Sequence, residues 1–563
     1  MGLLCYLSRG LRSEVVADED VIGEPVSGLI LESMKIETPQ GWKTAYAHSL
    51  LSTDISRRCN NRYDNSHRKE SELQASRPPM ACERLHVGPS TRSKNRTDMM
   101  RISLSYGCLL LMCGRIADII GSRKVFLLGS AWFTIWSLAT AFAPTPWALI
   151  LFFGFQGIGS AANVPAGISI ISSYFPPGKA KNRAFSILGA GQPLGYFIGM
   201  ILGGFLAQSR ASWRAIFWLQ AALGFSLCVM GWFVLPPDVE ERKYTKGLDW
   251  FGAFLSTSGL GLLVYDLGQS TSTSKGWATP FVPSLLGTSV ILIVCFVLWE
   301  IHRESKGLSV LVPMSMWTQP RAKMGPIMLL VVFAWWGFNC QSYFFPLFFQ
   351  EVLQLSPLGT AIRLIPGCIS GILANILAGY LVAVVPGQII VILGIVACMV
   401  SCILFAVINV HAIYWSMSFL VTILIPILDM AYTVANMHVC SSFSGDSQAL
   451  AGSLFSVATR LGTSIGLAVT SSVMNSVITK QSNMQPNLSQ TDPEILMPGF
   501  RAAAWTSCGS LGVGLVIAVI GIRGIGIVGQ KTGERPVTND GVEIAELGHV
   551  GQTDSAADNV TKD

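Results

Sequence analysis

Residues 114–124 read Gly114-Arg115-Ile116-Ala117-Asp118-Ile119-Ile120-Gly121-Ser122-Arg123-Lys124. One acid, two glycines and three bases share a short turn with apolar segments on both sides. That is the pattern of a tight, charge-locked cytoplasmic hairpin between two membrane helices. Composition outside the hairpin agrees. Hydrophobic residues make up 51% of the chain and charged residues 13%, against roughly a quarter charged in an ordinary soluble domain. The 563 residues are therefore not a string of water-soluble domains. The formal net charge of +6 lies in loops and in the N-terminal region. With no basic stripe, nucleic acid is not an expected partner.

Residues 1–100 are polar and dense in both signs, with no apolar run near the ~20 residues that a span needs, and read as a disordered N-terminal region. No charged start followed by a uniform apolar core marks a cleaved leader. From residue 102 apolar segments of spanning length follow at 102–117, 125–142, 147–173, 185–207, 214–235, 250–268, 281–300, 324–349, 358–385, 387–409, 411–437, 449–477 and 502–528. The expected class is thus an all-α polytopic membrane protein with 13 spans visible. Residues 529–563 read as a disordered cytoplasmic tail.

Bases accumulate in alternate short loops: Arg115, Arg123 and Lys124 in the first; Lys179, Lys181 and Arg183 in the third; Arg242, Lys243 and Lys246 in the fifth; Arg303, Lys306, Arg321 and Lys323 in the seventh. Those loops are assigned to the cytoplasm. The loop near 478–500 then falls outside, and its Asn487-Leu488-Ser489 is a glycosylation candidate. The charged stretches 237–249 and 301–323 bracket a pair of spans. Hence the expected organisation is a bundle over 101–236 with five visible spans, a linking region 237–323 with two extra spans, and a six-helix bundle over 324–528.

Within one span Gly191, Gly195, Gly199 and Gly203 recur every four residues with Pro193 among them. Such a ladder keeps glycines on one face, where a neighbouring helix approaches backbone to backbone, and Pro193 bends the helix. Close packing alone explains it as well as function does. Ionisable residues inside spans cost roughly 2.5–3.5 kcal/mol each on insertion scales. Asp429, in Ile425-Pro426-Ile427-Leu428-Asp429-Met430, is the clearest case: a candidate proton carrier, or an Asp hydrogen-bonded in the bundle interior. Asp266, near the outer end of its span, is expected at the interface. Gln156, Asn163, Gln192, Asn339, Gln341, Asn375 and Asn436 are polar candidates for lining a cavity, with Trp335, Trp336, Tyr343 and Phe344 as an apolar wall; interhelical hydrogen bonding is the competing use. Arg460 is a cavity candidate or a snorkelling base, and Arg363 a similar base near a helix end.

The thirteen cysteines are scattered, several in apolar runs (Cys228, Cys295, Cys398, Cys402), and read as small buried hydrophobes with no disulfide framework. No metal spacing, P-loop or nucleophile elbow is present, so the expectation is no enzyme, no metal and no cofactor.

These residues resemble the major facilitator superfamily and, within it, the fungal fourteen-span drug:proton antiporters of the aminotriazole-resistance type. Gly114 to Lys124 is similar to the superfamily loop signature: glycine, apolar pair, Asp, then glycine and bases. Gln156-Gly157-Ile158-Gly159-Ser160-Ala161-Ala162, Tyr174-Phe175-Pro176-Pro177-Gly178 and Asn182-Arg183-Ala184-Phe185 resemble the next span and loop. Gly189-Ala190-Gly191-Gln192-Pro193 resembles the antiporter motif. Trp213-Arg214, Leu248-Asp249-Trp250-Phe251-Gly252, Phe349-Gln350 and Ala451-Gly452-Ser453-Leu454 continue the likeness over about 101–528.

The chain departs from that pattern in four places. Phe153 stands where the family carries an arginine. Ile119 and Ser122 replace bases in the loop signature. The counterpart hairpin near Gly379 to Gly387 has no charges. The family's first span has no match in residues 1–100.

The resemblance implies two bundles around a central cavity, with small organic compounds or toxins exported in exchange for protons by alternating access. Gly114, Asp118, Gly121, Arg123 and Lys124 would form the cytoplasmic gate, where Asp118 pairs with the Arg123–Lys124 region or caps a helix N-terminus. The expected partners are the lipid bilayer, a small organic substrate and protons. The chain is expected to be a monomer, placed in the plasma membrane rather than the vacuolar membrane. Two alternatives stand beside export: facilitated uptake of a metabolite, borate or an iron chelate, and a non-transporting sensor or remnant that lacks the first span.

Overall fold

A computed structural model describes residues 109–523, apart from 176–177, 209–213, 236–246, 271–278, 280, 319–322, 411–412, 444–447 and 489–491. Residues 1–108 and 524–563, including both expected disordered ends and the first part of the first span, lie outside the described residues. Among the described residues the structure is helical throughout, with no strand. Residues 109–120 are helical (α1). The helices α2 Ser122–Ala141, α3 Pro146–Tyr174, α4 Lys179–Gln208 and α5 Arg214–Val234 follow. A hairpin, α6 Trp250–Ser270 and α7 Phe281–Ser305, leads through the short α8 Ser315–Thr318 to α9 Met324–Leu347. Then come α10 Pro357–Leu381, α11 Gly387–Ala406, α12 Met417–Leu424, α13 Asp429–Ser441, α14 Gln448–Met484 and α15 Pro493–Ile520.

Twelve of these helical segments are long and apolar enough to cross a membrane, α12 and α13 counting as one broken span, Met417–Ser441. Local sequence sets several of their ends. Thr145 accepts the Ala148 amide and Pro146 opens α3; Ser356 accepts the Gly359 amide and Pro357 opens α10. Gly121 joins α1 to α2 at φ 112°, a left-handed conformation that glycine alone takes without strain.

Several helix boundaries differ from the hydropathy reading, and two of them have a clear local cause. The last span opens at Pro493, not at 502, because Asp492-Pro493 is a helix start that apolar counting does not weigh. Helix α14 runs on to Met484 through polar residues that a hydropathy window rejects.

Bulky side chains such as Phe205, Phe225, Trp232, Phe233, Ile291 and Leu377 are exposed along these helices. In water they would form large apolar patches; against hydrocarbon they are in place. Inside, α2 packs on α3 and α5, α4 on α10, α9 on α14 and α15, and α11 on α15 and α13. One apolar core joins α1, α3, α9, α11, α13 and α14; a second, rich in phenylalanine, fills the space among α9, α11 and α15.

Candidate functional site

Two places hold the polar residues singled out by sequence. The first lies at the base-rich end. Asp118, fully buried, accepts a hydrogen bond on Oδ2 from the Leu450 amide at 3.2 Å. Leu450 is in the first turn of α14, whose unpaired amides and dipole favour an anion. Of the two expected uses of Asp118, this contact is the helix N-terminus cap.

One turn earlier, Gly114 lets α1 approach the same helix. A Cβ there would stand 2.6 Å from Ser453 Oγ and 3.2 Å from the Ala449 carbonyl oxygen. Gly452 of α14 touches Ile168 of α3, and Gly379 of α10 lies against Ser186 of α4. Helices from before and after the hairpin α6–α7 therefore meet at this end. Arg123 donates to the Trp232 carbonyl at the end of α5, 2.7 Å away, and Lys124 is exposed. Two bases from the third loop stand closer to the junction. Lys181 is buried and donates to the Ser172 carbonyl at 3.0 Å; Arg183 lies over the Tyr380 ring of α10 at 5.8 Å.

The second place is the middle of the broken span formed by α12 and α13. Pro426 has no N–H to give, so the ladder tightens into a 3₁₀ turn, Ile425–Leu428, and Asp429 opens the helix that follows. Ile427, Leu428 and Ala431 turn toward Gly394 of α11. At 100° per residue Asp429 stands on the opposite side, with Tyr432, Thr433 and Asn436 three, four and seven positions on. All four are buried. Thr433 donates to Asn375 Oδ1 of α10 at 2.6 Å, and both side chains press on Gly189 of α4. Tyr432 stacks with Trp335 of α9 at 4.7 Å and meets Phe455 of α14 edge-on at 5.1 Å. Asp429 thus lies on the face that α13 turns to α4, α9, α10 and α14.

The glycine ladder stands elsewhere on α4. That helix meets α10 through Ser186, Gly189, Pro193 and Phe197, while Gly191, Gly195, Gly199 and Gly203 are two positions further on, about 200° round the helix from that seam. On α10 the small residues Gly367, Gly371 and Gly379 admit α4, and in the same four-residue register Asn375 reaches into the space that Gly189 leaves on α4. A Cβ on Gly371 would lie 2.9 Å from the Pro193 Cβ. Sequence reasoning passed over this register, although it has the spacing that drew attention to α4.

The other polar candidates are spread through the molecule. Gln156 donates to Ser137 Oγ (2.7 Å) and Gln220 Oε1 (3.2 Å), and Asn163 to Ser130 Oγ (3.1 Å), so Gln156 ties α3 to α2 and α5 and Asn163 ties it to α2. Gln341 donates to the Ser401 carbonyl of α11 at 3.4 Å, and Asn339 to the Trp335 carbonyl one turn back on its own helix. Gln192 and Arg460 are half-buried, on α4 and α14. Phe153 packs edge-on against Phe217 of α5 at 5.1 Å. Arg363 lies over the Tyr414 ring. Asn487 is exposed between α14 and α15. Asp266, expected at an interface, is instead fully buried, because α6 packs along α7 and α14.

This architecture is that of a multi-pass helical membrane transporter. The Major Facilitator Superfamily model matches residues 99–467, and the chain belongs to that family. It is 28% identical over 427 residues to the low affinity ammonium transporter of Saccharomyces cerevisiae, covering 74% of this chain and 78% of that one. It is 26% identical over 441 residues to the aminotriazole resistance protein of the same yeast, with 76% of each chain covered. Among solved structures, the human organic anion transporter MFSD10 (TETRAN) matches 88% of this chain and 97% of its own, with a TM-score of 0.57 and 14% identity, a likeness of fold alone.

Proposed function

We propose that the chain exports small organic compounds in exchange for protons by alternating access, as a monomer in the plasma membrane. The observation that carries this reading is Asp429: a carboxyl group buried in the middle of a broken span, on a face shared with Tyr432, Thr433 and Asn436 and turned to four helices. Acids inside spans are costly to insert and commonly mark proton relays. Asp118 is the lock of the base-rich end, holding α14 by its first turn while that end is shut. The bundles 101–236 and 324–528 rock about the polar face of α13, with the hairpin α6–α7 between them. The likeness to a relative named for aminotriazole resistance supports export.

Labelled aminotriazole tests the reading in inside-out vesicles that contain the full-length protein. Accumulation that rises with an imposed inward-acid gradient and collapses when the gradient is discharged is expected. Aminotriazole movement that ignores the gradient contradicts antiport. Facilitated uptake is the second reading, favoured by the likeness to an ammonium transporter. Labelled methylammonium equilibrating without any gradient would favour it.

A further inference from the structure

The hairpin α6–α7 carries a second buried ion cluster, on a different pair of helices from Asp429. Asp249 and Glu300 are 3% and 0% exposed. Asp249 caps α6, its Oδ1 accepting the Gly252 amide at 3.0 Å. Its Oδ2 accepts the Trp299 indole N–H at 2.9 Å and faces Arg303 Nε at 3.3 Å. Arg303 also donates to the Ser309 carbonyl (2.8 Å) and hydroxyl (3.0 Å).

Glu300 accepts the amides of Leu311 and Val312, each at 3.2 Å. One turn on, Glu304 accepts those of Met314 (2.6 Å) and Ser315 (3.2 Å). Residues 309–315 are thus strapped along α7 by three consecutive charged side chains of one helical face. The strap's Leu311 and Val312 are buried in the same core as Met324 and Ile327, where α9 begins.

The two carboxylates are neighbours. A Cβ on Gly252 would stand 2.6 Å from Glu300 Oε1 and 2.7 Å from Asp249 Oδ2, so only a residue without a side chain fits between them. That gives the Leu248-Asp249-Trp250-Phe251-Gly252 stretch a physical purpose. Among the described residues, the charged groups acting on Glu300 are Asp249, from α6, and Arg303, from its own helix. The strap and α8 bring no titratable side chain, and His302 and Lys306 are exposed. Two buried acids therefore share one guanidinium, which is already committed to Asp249. Glu300 is thus the acid whose charge no facing base meets among the described residues, and the amides of Leu311 and Val312 are what hold its anionic form in place.

We propose that Glu300 is a proton-binding site at the base-rich end, and that protonation loosens the strap 309–315 and so frees the start of α9 from the hairpin. The proton comes from hydronium on the cytoplasmic side and returns there. A neutral carboxyl is a weaker acceptor for the Leu311 and Val312 amides than a carboxylate, which sets the direction of the effect. The inference does not rest on Asp429 as proton carrier.

Infrared difference spectra and hydrogen exchange of the full-length protein in lipid nanodiscs, compared between about pH 5 and about pH 8, test it. The expected result is a protonated-carboxyl C=O band in acid that is absent from Glu300→Gln and retained in Asp429→Asn. With it, amide exchange over 309–315, corrected for its intrinsic pH dependence, should rise several-fold in acid in the wild type and stay level in Glu300→Gln. A band unaffected by Glu300→Gln, or wild-type strap exchange that does not change with pH, overturns the proposal. The wild-type exchange decides alone if the variant does not fold.

Discussion

Gly114 and Asp118 stand one helical turn apart on α1, which is why both address the same stretch of α14: one makes room for Ser453, the other holds the Leu450 amide. A side chain at 114 must push Ser453 or tilt the helix, and overpacking of this kind costs about 1–3 kcal/mol. Gly114→Ala is expected to disfavour closure at the base-rich end and to slow transport, with Ser453→Gly restoring part of the loss. Transport rates of the two single variants and the double variant form a cycle that checks the coupling. The spacing of glycine and acid was legible in the hairpin Gly114 to Lys124. Its partners were not, because Leu450 and Ser453 lie more than 330 positions away and nothing in their local sequence marks them as gate residues. Proximity in sequence also passed over two bases of the third loop, Lys181 and Arg183, which stand near the junction.

At the scale of elements, hydropathy located the spans well, since nothing but apolar helices satisfies backbone groups in hydrocarbon. It misplaced ends where capping residues or amphipathic turns decide, at Pro493 and Met484. The seam between α4 and α10 is the more instructive case. Four glycines in register drew attention to one face of α4, yet the seam with α10 uses Gly189 of α4 and Gly367, Gly371 and Gly379 of α10. A ladder of small residues indicates that a face can be approached, and the partner's own register decides which face is used. Gly371→Leu is therefore expected to separate α4 from α10 and to lower the thermal unfolding temperature of the purified protein, whereas Gly287→Leu, on α7 where nothing lies within 4 Å of the added Cβ, leaves it nearly unchanged. Equal losses at both positions would contradict the seam.

For the whole molecule, α1, α3 and α4 meet α10 and α14 at the base-rich end, and the polar face of α13 lies at the junction with α4. The acid on that face was legible because Asp429 interrupts an apolar run. Its surroundings were not, since Tyr432, Thr433 and Asn375 acquire their meaning only once α9, α10 and α14 are packed round α13. The central claim is that a proton on Asp429 drives the exchange between the two sides. Full-length wild type, Asp118→Asn and Asp429→Asn, reconstituted at equal density, can be compared for aminotriazole uptake with and without an imposed proton gradient. Asp429→Asn should lose the gradient-driven component entirely while Asp118→Asn keeps it at a reduced rate. Full proton-coupled transport by Asp429→Asn would contradict the claim.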